Sequence, residues 1–425
     1  MNKRVVITGL GVVAPNGVGI PAFRHAIRQG ISGIRFFKEL EDLKFSCCIG
    51  GMPEVSEETR LKYLSPLQLR NFNSSGILYG CIAGIDAWKD AGLSIDENSP
   101  ADYDSGTVFG TGTSGVDKYR ESIYKVDAGQ VKALGSTTVI QIMASGISAY
   151  LGGILGLGNL VTTNSSACCT GTEAILMGYE RIRAGRAKRM LVGGCSDHGP
   201  YVWAGFDALR VLNYKQNDHP EKASRPMSAT ASGFVPGSGA GALLLESLDS
   251  ALERKATIYA EILGGASNAG GQRGEGSMTA PNNEAVQRCI RDAVKDAGIA
   301  AADIDLVNGH LTATAKDATE VRNWAEALGR SGNDFPYIHS LKSMTGHCLG
   351  ASGAIESVAA VLGLKEGFVF PSINCEDIHP GIVECIGAEK IPQKLLENDK
   401  LQVVAKASFG FGDINSCIIL KKFLE

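Results

Sequence analysis

Four stretches of the chain put reactive side chains where a strand gives way to a helix or turn. The first is Asn164-Ser165-Ser166-Ala167-Cys168-Cys169-Thr170-Gly171. An apolar strand ends there and small residues lead into a helix. A cysteine at that junction faces free backbone N–H groups and the positive end of the helix dipole, both of which favour a thiolate. The same N–H groups can hold an oxyanion. A plainer reading, two compact residues at a crowded turn, stays open on this stretch alone. The second stretch, Val307-Asn308-Gly309-His310-Leu311-Thr312-Ala313-Thr314, sets His310 at the carboxyl end of a strand, where α/β sheets present ligand-handling groups. A satisfied polar histidine is its alternative. The third, Ser340 to Gly350, carries Lys342 and His347 five residues apart. A helix N-terminus beside His347 disfavours its protonation and leaves an imidazole able to donate from one ring nitrogen. Capping by Thr345 with a surface lysine is the alternative there. The fourth, Ala407-Ser408-Phe409-Gly410-Phe411-Gly412, suggests a mobile flap or cleft wall, or plain packing at a bulge.

The elements that must position these groups alternate short β-branched runs with longer helical stretches. Strands are expected at Arg4–Thr8, Gly106–Gly110, Leu160–Asn164, Arg189–Cys195, Gly239–Glu246, Ile258–Leu263, Ile304–Asn308, Tyr337–Ser340, Gln402–Ser408 and Asn415–Leu420. Helices are expected at Pro21–Gln29, Ser65–Ala91, Thr138–Leu155, Thr170–Arg183, Asn282–Ala297, Asp317–Leu328 and Ser352–Glu366. The alternation argues for an α/β fold with buried, largely parallel sheets. Gly9-Leu10-Gly11 follows a strand but lacks the acidic residue of a dinucleotide site, so a tight structural turn is expected there. A seam near Ser247–Ala256 divides the chain into residues 1–254, with the cysteine, and residues 255–425, with both histidines. Ala167 to Ile175 resembles His347 to Ile355, a faint internal echo.

Composition narrows the function. The chain has 425 residues, 20% of them charged, with a formal net charge of -4. That balance supports neither a nucleic-acid binder nor a disordered chain. No apolar run is long enough to span a bilayer, and the N-terminal segment leaves no room for a secretory leader. Eleven cysteines without CxxC or zinc-finger spacing point to a reduced, cytoplasmic protein with no metal site. Glycine, at 53 residues, is in excess.

Together the four junctions resemble the β-ketoacyl-acyl-carrier-protein synthases of type II fatty-acid and polyketide systems, the elongating condensing enzymes of the thiolase superfamily. The resemblance rests on Thr8-Gly9-Leu10-Gly11, Ser166 to Gly171, Val307 to His310, Lys342-Ser343-Met344-Thr345-Gly346-His347 and Ser408 to Gly412. Arg210 and Ser224-Arg225-Pro226 also match, and the likeness runs from residue 3 to residue 423. It implies the thiolase fold, a five-layer αβαβα sandwich of two similar halves. It implies an acyltransferase, a 3-oxoacyl-[acyl-carrier-protein] synthase: Cys168 accepts an acyl chain, and His310 and His347 assist malonyl decarboxylation and hold the enolate oxygen. Lys342, paired with Glu320, orients the site. The N–H groups of Cys168 and Phe409 form the oxyanion hole, and Phe409 gates entry. Thr312 and Thr314 meet the phosphopantetheine arm, which arrives on the carrier protein, so no other cofactor is expected. Arg210 and Thr113 join the substrate-binding set, Thr111 and Thr113 by lining the acyl pocket. The partners implied are acyl carrier protein and a second subunit, a homodimer or a heterodimer with a related chain.

Several residues depart from the family pattern. Leu311 and Asp413 stand where glycine is usual, Ala407 where asparagine is, and Met227 to Ser232 where an acidic segment is. These suggest a specialised condensing enzyme, for a polyene or another secondary acyl product. Arg60, Lys62, Arg70 and Arg210 are candidates for docking an acidic carrier. The denser run of Arg181, Arg183, Arg186, Lys188 and Arg189 is explained as well by a helix C-terminus. Two rival functions remain: a catalytically silent subunit of the chain-length-factor type, and a coenzyme-A-dependent thiolase or acyltransferase in which Cys417 would be the second cysteine.

Overall fold

The computed structural model describes residues 2–424. Ten strands build its main sheet: β1 Val5–Ala14, β2 Ser105–Thr111, β3 Val161–Thr162, β4 Arg189–Ser196, β5 Gly239–Ser247, β6 Ala260–Ala269, β7 Leu306–Asn308, β8 Tyr337–His339, β9 Val403–Gly410 and β10 Ile414–Lys422. A short strand, Gly17–Val18, folds back on β1. The strands of the first half run in the order β3-β2-β4-β5-β1 and those of the second in the order β8-β7-β9-β10-β6. The pairing senses repeat as well. In each half the first three strands are parallel, and the last two joins are antiparallel. β1 then pairs with β6, joining the two five-stranded units through Val5–Ile7 and Ala260–Ile262.

Six helices complete the layers: α1 Ser75–Asp90, α2 Gly146–Leu155, α3 Thr170–Arg183, α4 Asn283–Ala297, α5 Asp317–Leu328 and α6 Ser352–Glu366. α1 and α2 cover the outer face of the first unit, α4 and α5 that of the second, and α3 and α6 pack between them. This is the α/β five-layer sandwich implied by the resemblance. Sequence decides which helix goes where. α4 buries Val286, Cys289, Ile290 and Ala293, spaced for one face, and turns its charges outward. Asn282 caps its first turn and Gly298 ends it at φ 66°. Apart from Glu356, α6 is apolar or small all round over its buried stretch, Ser352 to Leu364, as a helix between two sheets must be.

Four expectations needed correction. The sheet is mixed, not largely parallel, because the last two joins of each half and the β1–β6 join are antiparallel. Gly9-Leu10-Gly11 is not a turn; it lies inside β1, with a bulge between Ile7 and Gly9. Its glycines serve close packing, since a Cβ on Gly9 or Gly11 would stand 2.0 or 1.9 Å from the α1 carbonyl oxygens of Ala87 or Ala83. The long helix expected over Ser65–Ala91 is broken into Pro66–Leu69 and α1, because Asn71 takes φ 59°. Thr138–Leu155 is interrupted at Met143, whose ψ is 142°. Helices at Val116–Asp127 and Pro200–Ala208 were not expected. No helix among the described residues is long and apolar enough to cross a membrane.

Candidate active site

The four junctions converge on one cavity of about 280 Å3, walled by Cys168, His310, His347, Thr312, Thr314 and Phe409 among others. Cys168 sits in a 3-10 turn, Ala167–Cys169, that runs directly into α3. Ala167 takes φ 49°, so the chain turns sharply and aims the thiol at the cavity. The hydroxyl of Thr170 braces the turn, donating to the Ala167 carbonyl at 2.7 Å and accepting from the Ser166 N–H at 2.9 Å. The end of β9 approaches from the other side. A Cβ on Gly410 would lie 3.2 Å from the Cys168 nitrogen.

His347 Nε2 lies 3.0 Å from Cys168 Sγ, and its Nδ1 lies 2.9 Å from the Ser352 hydroxyl. A hydroxyl both donates and accepts, so Ser352 supports either tautomer. With the proton on Nδ1, Nε2 accepts the thiol proton; with it on Nε2, the ring donates toward the cavity. His310 stands edge-to-face with His347, ring centroids 5.4 Å apart. Its Nδ1 is buried without a protein partner. Burial and the charge of Lys342 hold both imidazoles well below their usual pKa, with Lys406 acting in the same sense. Burial pushes the Cys168 thiol up to about 11, opposed by Lys342 and by the backbone N–H groups of Phe411 and Cys168. A thiol at about 11 is ionised to about one part in ten thousand at pH 7. Proton transfer to the adjacent imidazole therefore has to accompany attack by the sulfur.

Lys342 corrects the pairing expected for it. Its ammonium donates to the His310 carbonyl at 2.6 Å and to the carboxylate of Glu356 on α6, not to Glu320. Glu320, in the first turn of α5, spends its two oxygens on the N–H groups of His310 and Leu311. Burial, then Asp317, raises it to about 7. Asp317 accepts from the N–H groups of Thr312, Ala313 and Met227, fixing the threonine loop on the wall. Phe409 is the penultimate residue of β9, a cleft wall, with Phe411 on the turn beyond it. The second backbone N–H that reaches the Cys168 sulfur is that of Phe411, not of Phe409 as expected, because the turn after β9 brings the chain back over the thiol.

The two glycine replacements adopt the backbone conformation that glycine is used for. Leu311 has φ 23° and Asp413 φ 62°. Asp413 is held there by its carboxylate, which accepts from Gln272 N at 2.9 Å and Asn282 N at 2.7 Å.

Arg210 and Thr113 are not brought to the cavity. Both are exposed, and Thr113 offers its carbonyl to Thr111. Arg210 sits on the rim between Phe206 and Val211, which do line the cavity. In the basic run, Arg183, Lys188 and Arg189 pair with Asp296, Asp104 and Asp102. Cys417 is fully buried within β10. Sequence reasoning missed Glu356 and Lys406, both buried. The signal was present, in that each is the lone charge in an otherwise apolar buried stretch.

The comparisons agree with this geometry. The family profile for the beta-ketoacyl synthase N-terminal domain matches residues 2–251, and that for its C-terminal domain residues 259–376. The chain is 32% identical to 3-oxoacyl-[acyl-carrier-protein] synthase 2 of Vibrio harveyi, over 100% of this chain and 99% of that one. Among solved structures it is similar to the ishigamide ketosynthase/chain length factor, at TM-score 0.88 and 28% identity, covering all of both chains. It is also similar to a type II PKS acyl-carrier protein in complex with its ketosynthase bound to the hexaketide, at TM-score 0.86 and 29% identity, again over all of both chains.

Proposed function

This chain belongs to the β-ketoacyl synthase family and performs its decarboxylative condensation of acyl thioesters; from that premise we propose how its own residues do so. The observation that carries the reading is the Cys168 thiol 3.0 Å from His347 Nε2, with the His310 ring edge-to-face on His347 at 5.4 Å between centroids. Cys168 attacks an acyl thioester as its proton passes to His347, and the carrier's thiol leaves. The acyl chain now rests on sulfur, an intermediate that stays electrophilic. Malonyl thioester then enters the same cavity and loses carbon dioxide. The electron pair left behind forms an enolate, whose oxygen takes hydrogen bonds from His310 and His347. The enolate carbon attacks the acyl-enzyme carbonyl, the oxyanion is held by the N–H groups of Cys168 and Phe411, the two that already face the sulfur, and the thiolate departs. Lys342 acts through the His310 carbonyl that it holds. Thr312 and Thr314 receive the phosphopantetheine arm, and no further cofactor enters these steps.

The partners belong to the same proposal. An acidic carrier protein docks at the rim, with Arg210 and Arg70 among its contacts. Among the described residues neither makes an ion pair, which supports this role over Arg183, Lys188 and Arg189 of the run at 181–189, whose charges are paired. The chain works as a dimer, with itself or with a related subunit, and its halves divide at residues 254 and 255. A reducing cytoplasm is its setting, supported by eleven unpaired thiols. Leu311 and Asp413 adapt the enzyme to a specialised acyl product, and normal rescue of bulk fatty-acid elongation would contradict that point. The general test is intact mass after incubation with assorted acyl carrier proteins. An acyl adduct absent from Cys168→Ala is expected; no adduct with any donor would overturn the reading.

A further inference from the structure

Beneath the catalytic groups lies an ionic cluster with two ammonium groups and one carboxylate. Glu356 stands between Lys342 and Lys406, and all three are at most 2% exposed. The Lys406 ammonium lies 2.9 Å from Glu356 Oε2 and donates to the Ala407 carbonyl and the Ser408 hydroxyl, each at 2.6 Å. The Ser408 hydroxyl in turn lies 2.9 Å from that of Thr172, in the first turn of α3. The Ser408 carbonyl accepts from the Cys169 thiol at 3.1 Å. One side chain thus links the helix bearing Glu356, the strand end bearing Phe409 and the helix that starts at the nucleophile.

We propose that Lys406 is a second positively charged positioning residue of the condensing site, sharing Glu356 with Lys342 and tying the end of β9 to the first turn of α3. The proposal rests on the condensation reading above. Burying an ammonium beside another is costly unless something compensates, and one carboxylate cannot balance two lysines. The surplus positive charge favours every species more negative than its precursor, namely the Cys168 thiolate, the tetrahedral oxyanion and the enolate. The groups facing Lys406 are Glu356 from α6, Lys342 from the turn after β8, His310, His347, Cys169 at the start of α3 and Cys417 from β10. Burial lowers the Lys406 pKa, and Glu356 opposes that shift.

Lys406→Met removes the charge and keeps most of the volume. Its first readout needs no substrate: the rate of Cys168 alkylation by iodoacetamide against pH, followed by peptide mass spectrometry. Loss of a nearby cation raises a thiol's pKa, so alkylation at pH 8 should slow about tenfold and the profile move to higher pH. Lys406→Arg should restore the profile. A folded Lys406→Met whose profile superimposes on the wild type overturns the proposal. Ser408→Ala keeps every charge and cuts the tie. It should lower kcat for condensation several-fold with KM and the alkylation profile unchanged, and a wild-type kcat would overturn the tie even if Lys406→Met fails to fold. A wild-type protein that condenses no acyl donor would instead sink the functional reading, and the alkylation comparison would still stand.

Discussion

The same turn occurs twice in this molecule, and only one copy holds a nucleophile. In the first half, Ala167–Cys169 forms a 3-10 turn that runs into α3; in the second, Leu349–Ala351 runs into α6. Each begins on a non-glycine residue with positive φ, Ala167 at 49° and Leu349 at 51°. In the register that matches Thr170 with Ser352, both helices begin on a hydroxyl. Thr170 braces its own turn, whereas Ser352 holds the imidazole of His347. Cys168 is matched by Gly350. Conversely, the second half's Lys342, His347 and Glu356 are matched by Leu160, Ser165 and Ala174. The backbone therefore offers two equivalent helix starts; on the proposed reading the first supplies the sulfur that carries the acyl chain, and the second supplies the imidazole that takes its proton and, with His310, stabilises the enolate.

The largest expected effect breaks the first turn's chemistry. Cys168→Ala should lower condensation by about 10^4-fold or more, measured as β-ketoacyl product by mass, because the nucleophile acts as a unit with its base. A loss under tenfold would mean that the sulfur is not the acyl carrier. Next, His310→Ala should cost about 10^2–10^3-fold in decarboxylation, the usual scale for one oxyanion donor, while acylation of Cys168 falls far less. Equal losses in both half-reactions would erase the division of labour.

Stability separates the turns in the same direction. Glu356→Gln leaves two buried lysines without their carboxylate and should destabilise the fold by about 3–5 kcal/mol in chemical denaturation. Ala174→Gly, at the matched position of α3, should cost only about 1 kcal/mol. The smallest predicted signal is one that fails to move. Burial disfavours the imidazolium, so the folded-state pKa values of His310 and His347 lie below 6.5. Their ring 13C resonances should report the neutral form at pH 6.5, where an ordinary imidazole is half protonated, and a titration midpoint at or above 6.5 in either would contradict the buried, lysine-flanked site.

Much of this arrangement was legible in sequence because reactive residues sit next to turn residues. Cys168, His310 and His347 each end a strand or precede a helix, and α3, α5 and α6 begin and end where their caps and periodicity say. The echo between the halves was visible too, but it was aligned on the wrong residues. Matching small residues paired Ala167 with His347, whereas the backbone pairs Ala167 with Leu349, because positive φ and hydrogen bonding set the register. The partner of Lys342 differs from the Glu320 that the resemblance implies, for a related reason. Glu320 is nearer His310 in sequence, but its oxygens are taken by two N–H groups, and the available carboxylate comes from a helix between the sheets. In sequence, Lys406 reads only as part of the apolar strand Gln402–Ser408. What that charge faces depends on α6 lying across β9, a long-range packing that no local pattern encodes.

The account stands most directly on the separation of the two turns, which one variant can test. Cys168→Gln removes the acyl acceptor but leaves His310, His347, Lys342 and Glu356 in place. Incubated with malonyl-acyl-carrier-protein, it should release carbon dioxide well above the uncatalysed rate while forming no acyl adduct. Release no faster than background, from a folded protein, would contradict the assignment of decarboxylation to the second half.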